Sequence, residues 1–244
     1  MSKQRPSGFR RVVLASGAAL IVATSALGTG AYSYLKPVAA PSSAVTAVPL
    51  TTMSVEQTGP DADASNATVY EIQSSASTAS FIVDEVLRGS PYTVVGTTNQ
   101  VAGQFAFDAS DPTSAQIGTI LIDARTLVTD DQSRTRALGN AILDTNQYEY
   151  IEFTPTEITG LPESLTPGQP FTFQATGDLT IKDTTRPVTF DISVTPAADG
   201  SVDGTATATI SYADWGVSIP SVPFVASVDQ DVVLKLDFSA SATA

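Results

Sequence analysis

Beyond residue 67 the chain alternates apolar and polar positions with a period of two. From Phe171 to Ile181 the odd positions are Phe171, Phe173, Ala175, Gly177, Leu179 and Ile181. The even ones are Thr172, Gln174, Thr176, Asp178 and Thr180. A strand turns successive side chains to opposite faces, so this pattern predicts a half-buried strand and excludes a helix. Val101, Gly103, Phe105 and Phe107 share a side in the same way. Val188, Phe190, Ile192 and Val194 alternate with Thr189, Asp191 and Ser193, and Val232, Leu234, Leu236 and Phe238 alternate with Val233, Lys235 and Asp237. Strands are expected near 68–73, 79–87, 93–108, 115–123, 150–159, 170–182, 187–196, 203–213 and 229–240. Turn-forming clusters separate many of them, among them Gly89-Ser-Pro91 and Ala198-Asp-Gly200. One stretch differs. Residues 130–143 are richer in helix formers, with Thr129 or Asp130 placed to cap, so a short helix is expected there. The fold class is all-β. Strands this long, whose edges must be protected, favour an extended antiparallel barrel over a sandwich.

The N-terminal 66 residues follow other rules. Residues 12–35 contain no charged side chain, and Arg10 and Arg11 stand immediately before them. That length spans a hydrocarbon core of roughly 30 Å as a helix. The basic residues place 1–11 in the cytoplasm and everything beyond residue 35 outside. The segment reads as a transmembrane helix, or as a signal segment cleaved near Ala26 or Ala31. The protein is then extracytoplasmic, anchored by a single span, or secreted if the segment is removed. Residues 36–66 are rich in Pro, Ala, Ser and Thr and show no sustained period, which predicts a disordered spacer ahead of a domain over 67–244.

Composition removes several function classes. The chain has no Cys and no His, which excludes thiol and histidine catalysis, disulfides and the usual zinc sites. Net charge is −13, and residues 67–244, with 7 bases and 22 acids, come to −15 by themselves, which argues against a nucleic-acid partner. Acidic turns lack EF-hand spacing, so no metal site and no cofactor is assigned. Asp and Glu are plentiful, but no spacing among them marks an acid–base pair, so the chain is not read as an enzyme.

Gly177-Asp-Leu-Thr-Ile181 followed by Thr185-Arg-Pro-Val-Thr-Phe190 resembles the signature strand pair of the YceI-like family. Leu127-Val-Thr-Asp130 with Arg134, Leu143-Asp-Thr-Asn-Gln-Tyr148, Ile151-Glu-Phe-Thr-Pro155, Asp214-Trp-Gly-Val217 and Asp231-Val-Val-Leu-Lys-Leu236 fit the same family in the same order. Val69-Tyr-Glu-Ile72 resembles its opening strand. The resemblance implies a lipocalin-like barrel of about eight strands in an exported bacterial protein. It also implies an apolar interior that takes a polyisoprenoid or other long-chain lipid. Many members carry a His near the opening strand and another after an Arg-Asp pair. Here Arg134 precedes Thr135, and Asp183 stands where a Gly is common.

Candidate lining residues are Phe81, Val83, Phe105, Phe107, Phe153, Phe171, Phe173, Phe190 and Ile210, with Trp215 and Phe224 at a mouth. Alternation alone does not distinguish a ligand tunnel from a packed core. Arg134 and Arg136 are headgroup candidates for an anionic lipid, or else partners of Asp130, Asp131 or Asp144. A cell-surface interaction or adhesion module with a filled, ligand-free barrel is the alternative function. A homodimer is compatible with the sequence.

Overall fold

The computed structural model describes residues 36–50, 67–108, 110–221, 223 and 225–243. The expected membrane or signal segment at 12–35, residues 1–11 that were expected in the cytoplasm, spacer residues 51–66 and Phe224 lie outside the described residues. Among the described residues no helix is long and apolar enough to cross a membrane.

The alternating segments form strands. They are Thr68–Ile72 (β1), Thr78–Leu87 (β2), Ser90–Thr98 (β3), Val101–Ala102 (β4), Gln104–Asp108 (β5), Asp111–Ile117 (β6) and Ile120–Asp123 (β7). After the helix Gln132–Ala137 (α1) come Tyr150–Thr159 (β8), Phe171–Ile181 (β9), Thr184–Pro196 (β10), Val202–Ser211 (β11), Val225–Val228 (β12) and Asp231–Ala242 (β13). The helix falls in the one stretch that lacked a period of two. Asp131 caps it by accepting the Arg134 N–H at 2.9 Å, and a single π-helical turn over Leu138–Ile142 continues it.

The described strands form one antiparallel sheet of thirteen, ordered β4-β7-β8-β9-β10-β11-β13-β1-β5-β6, with β2, β3 and β12 joined at β13. That number exceeds the expected eight because long runs are interrupted. Gly103 breaks 93–108 between β4 and β5, and Gly118 and Thr119 break 115–123 between β6 and β7. The order explains the curl. β4 ends the path at one side and β5 lies near the other end, yet only Gly103 separates them in the chain. The sheet must therefore bend back on itself. Ile72 N–H bonds Gly103 C=O at 3.0 Å, and a bridge between Thr97 and Val128 closes the other side. The tight β2–β3 link uses Arg88 and Gly89, both at positive φ, the backbone of a hairpin turn that matches strand twist.

Residues 36–50 depart from the expected spacer and run against the barrel as a strap. Asn140 donates to Lys36 C=O at 2.9 Å. Ser42 donates its N–H and its hydroxyl to the Glu149 carboxylate at 2.6 and 2.8 Å. Leu50 N–H reaches the Gln104 side-chain oxygen at 3.0 Å. Val38 lies over Gly139 and Leu50 over Gly118, where any Cβ would crowd them. The strap is held by barrel groups that accept or donate to an irregular backbone, and such a fit has no periodic signature.

Candidate functional site

The inward face of β9 grades from one end of the barrel to the other. Phe171 and Phe173 are half-buried, whereas Ala175, Gly177, Leu179 and Ile181 are buried. The deep end is solid. Val83, Val94, Leu138, Leu143, Ile210, Trp215, Val217 and Val232 pack there in one buried cluster, and the Trp215 indole N–H donates to Leu179 C=O at 3.0 Å.

The shallow end is open along one side. β7 stops where Ile120 faces Phe153, so the outer part of β8 pairs with β9 alone. β6 pairs with β5 alone. Between these two strands the sheet leaves a slit. A bulge between Pro155 and Glu157 bends β8 here. The bend depends on Gly177, since a Cβ there would lie 2.4 Å from Thr154 C=O and 2.6 Å from Pro155 Cα.

Behind the slit is an apolar cavity of about 190 Å³. That exceeds the ~150 Å³ of an engineered apolar cavity in another protein that stays dry and takes up benzene. Aromatic rings shape it. Tyr70 stacks on Phe105 and Phe107, with centroids 5.3 and 4.9 Å apart, and Phe153 meets Phe190 edge-on at 4.8 Å.

The structure divides the expected lining. Phe81, Phe105, Phe107, Phe153, Phe171, Phe173 and Phe190 line the cavity. Val83, Ile210 and Trp215 do not: they belong to the packed deep end. Trp215 therefore stands opposite the mouth where the sequence reading placed it, because the Asp214-Trp-Gly turn folds its ring inward against β9. Ile72, Ile117, Ile122, Leu234, Leu236 and Phe238 line the cavity and were not among the candidates. Alternation marks Leu234, Leu236 and Phe238 as inward-facing, but it does not tell which inward residues meet a void. Leu161 and Leu165 at the mouth sit in a Pro/Gly loop with no periodic signal.

Arg134 and Arg136 sit in α1 at the deep end, away from the cavity. Arg134 bonds Glu85 at 2.9 Å, also pairs with Asp130, and lies 5.5 Å over the Tyr92 ring. Two carboxylates thus engage the guanidinium. Tyr92 donates to Asp130, which holds the Asp130 carboxyl below the usual carboxylate range with help from Arg134. Asp123 is fully buried. Its Oδ1 accepts the Arg125 N–H at 2.9 Å and its Oδ2 has no partner, so burial pushes its carboxyl up, with Glu149 adding to the effect. Among the described residues no group of three or more His, Cys, Asp or Glu is placed to hold a metal ion.

Residues 70–240 match the YceI-like domain. No curated protein matches the chain. The fold is similar to that of a polyisoprenoid binding domain from Saccharophagus degradans implicated in plant cell wall breakdown. The TM-score is 0.58 at 11% identity, covering 72% of this chain and 99% of that one. It is also similar to BcnA of Burkholderia cenocepacia, with TM-score 0.55 and 17% identity over 70% of this chain and 99% of that one. The YceI protein of Campylobacter jejuni aligns with TM-score 0.50 and 15% identity over 61% of this chain and 84% of that one. With a curled antiparallel sheet around an apolar cavity, and with the domain match spanning nearly all of that sheet, the chain belongs to the YceI-like family.

Proposed function

We propose that the protein is a binding protein, not an enzyme, that holds the apolar chain of a polyisoprenoid-like amphiphile in the cavity behind the slit. The observation that carries this reading is the cavity itself: an apolar space, ringed by aromatic side chains, open on one side of a barrel otherwise packed tight. Desolvation is the driving force. Each methylene moved from water into such a space contributes roughly 0.8 kcal/mol, so a prenyl chain binds tightly even after its ordering cost. The polyisoprenoid binding named for the Saccharophagus domain supports this class of cargo. The uncharged run at 12–35 behind Arg10 and Arg11 supports export and anchoring by a single span, with the barrel outside the membrane.

The test is mass spectrometry of an organic-solvent extract of the protein purified from its native host. A stoichiometric prenyl or fatty-chain species is expected. An empty extract, with no uptake of added polyprenol, would overturn the reading in favour of a ligand-free interaction module.

A further inference from the structure

Two of the rings that line the cavity lie against glycines. On the inward face of β3, Gly96 pairs with Phe81 of β2, and on that of β11, Gly204 pairs with Phe238 of β13. Phe81 and Phe238 both line the cavity. A Cβ at Gly96 would overlap Cε1 and Cζ of Phe81 and come within 2.9 Å of its Cδ1. A Cβ at Gly204 would overlap Cζ of Phe238 and lie 2.7 Å from its Cε1. Each ring therefore leans sideways over the glycine of the neighbouring strand and lies close to the wall. Backbone conformation does not explain these glycines, since neither has a positive φ. A glycine inside a strand weakens it, and it marks a place where another group must approach closely. Here that group is an aromatic ring.

The two pairs stand at different levels of the cavity. Gly204 shares a cross-strand row with Val194 and Phe171 near the mouth, whereas Phe81 packs against the buried cluster of the deep end. Leu234 stands beside Phe81 on the strand away from Gly96, and Phe238 meets Phe105 edge-on at 6.2 Å. A ring pushed off its glycine therefore turns toward the cavity. A prenyl chain carries a methyl branch in every isoprene unit and is wider than a straight alkyl chain. Close-packed walls yield to extra width only at a cost. We infer that Gly96 and Gly204 are specificity-determining residues: by letting Phe81 and Phe238 lie flat, they give the cavity the width that a methyl-branched tail requires. This rests on the binding reading above and names the residues that decide which tails the same site admits.

The test is competition between farnesol and dodecanol, whose straight chain matches the main chain of farnesol without its branches. The full chain is incubated with an equimolar mixture, re-isolated, and its ligand quantified by mass spectrometry. The unaltered protein is expected to recover at least as much farnesol as dodecanol. Gly96→Ala and Gly204→Ala are each expected to lower the farnesol-to-dodecanol ratio by about tenfold, the equivalent of about two methyl groups left unburied. A Cβ at Gly204 would also lie 3.0 Å from Ser193 C=O, so each substitution is repeated with the ring removed. Beside Phe81→Leu, Gly96→Ala should leave the ratio where Phe81→Leu alone sets it, and Gly204→Ala should do the same beside Phe238→Leu. An unchanged ratio in the folded alanine variants, or an equal fall with and without the ring, would overturn the inference while leaving tail binding intact. So would a clear preference of the unaltered protein for dodecanol, a result that depends on no variant folding. Recovery of neither alcohol would overturn tail binding itself, and the inference with it.

Discussion

Asp123 shows how one side chain can hold a local fold and strain it. Its Oδ1 caps the 3-10 turn Ala124–Thr126, while its Oδ2 is buried without a partner. A carboxyl whose folded pKa is raised keeps its proton where the unfolded chain has already lost it. Stability from this group therefore falls as pH rises above about 4, and levels off once the folded carboxyl has ionised. Asp123→Asn retains the capping oxygen and cannot ionise. Urea unfolding at several pH values is expected to show the variant gaining on the parent as pH rises through that window. Parallel curves would mean that burial does not shift this group.

At the scale of elements, the strap at 36–50 is the least expected feature and the most dependent on a few contacts. Glu149 accepts from Ser42 and pairs with Arg125 at 2.9 Å, and Arg125 Nε donates to Thr145 C=O at 2.7 Å. The Ser42 N–H, with Arg125 behind it, holds the Glu149 carboxyl below the usual range. For a depressed pKa, the stabilisation is present above the unfolded value and is lost as pH falls through the folded one. Glu149→Gln is expected to speed hydrogen exchange at the Ser42 and Leu50 amides while β9 and β10 remain protected. Acidifying the parent should do the same. Unchanged exchange would mean that Val38 and Leu50 hold the strap by packing alone.

For the whole molecule, the central question is how an antiparallel sheet with a dense deep end keeps a void at the other. The deep end has Trp215, Leu138 and Leu143 folded in from α1 and the turns, whereas the shallow end has strand side chains, Leu161 and Leu165 of one loop, and a slit. Interiors close-pack wherever side chains can reach each other, so a void persists only where the enclosing strands stand too far apart to fill it. Ala206 lines this cavity, between Ile192 and Leu236 on the neighbouring strands. Ala206→Phe places a ring in the space. It is expected to lower farnesol uptake by about tenfold or more, the equivalent of losing two buried methylenes, with the melting temperature maintained. Unchanged uptake would place the cargo outside this cavity.

What the sequence determined by itself was local. A period of two along Phe171–Ile181 and Asp231–Ala242 requires strands with one apolar face, because side-chain direction in a strand depends only on parity. The lapse of that period near residue 130 located α1. The strand at Val225–Val228 escaped notice because only four residues of it exist, too few to establish a period. Which inward residues meet a void and which meet one another is a property of strand separation. Val232 and Leu234 share a strand, a face and an apolar character, yet Leu234 lines the cavity and Val232 is buried in the packed deep end. Only the tertiary structure decided that Trp215 fills the deep end, that Arg134 is taken by Glu85 and Asp130, and that residues 36–50 clasp the barrel. Each of these depends on groups far apart in the chain being brought together by the curl of the sheet, and neither composition nor period encodes that distance.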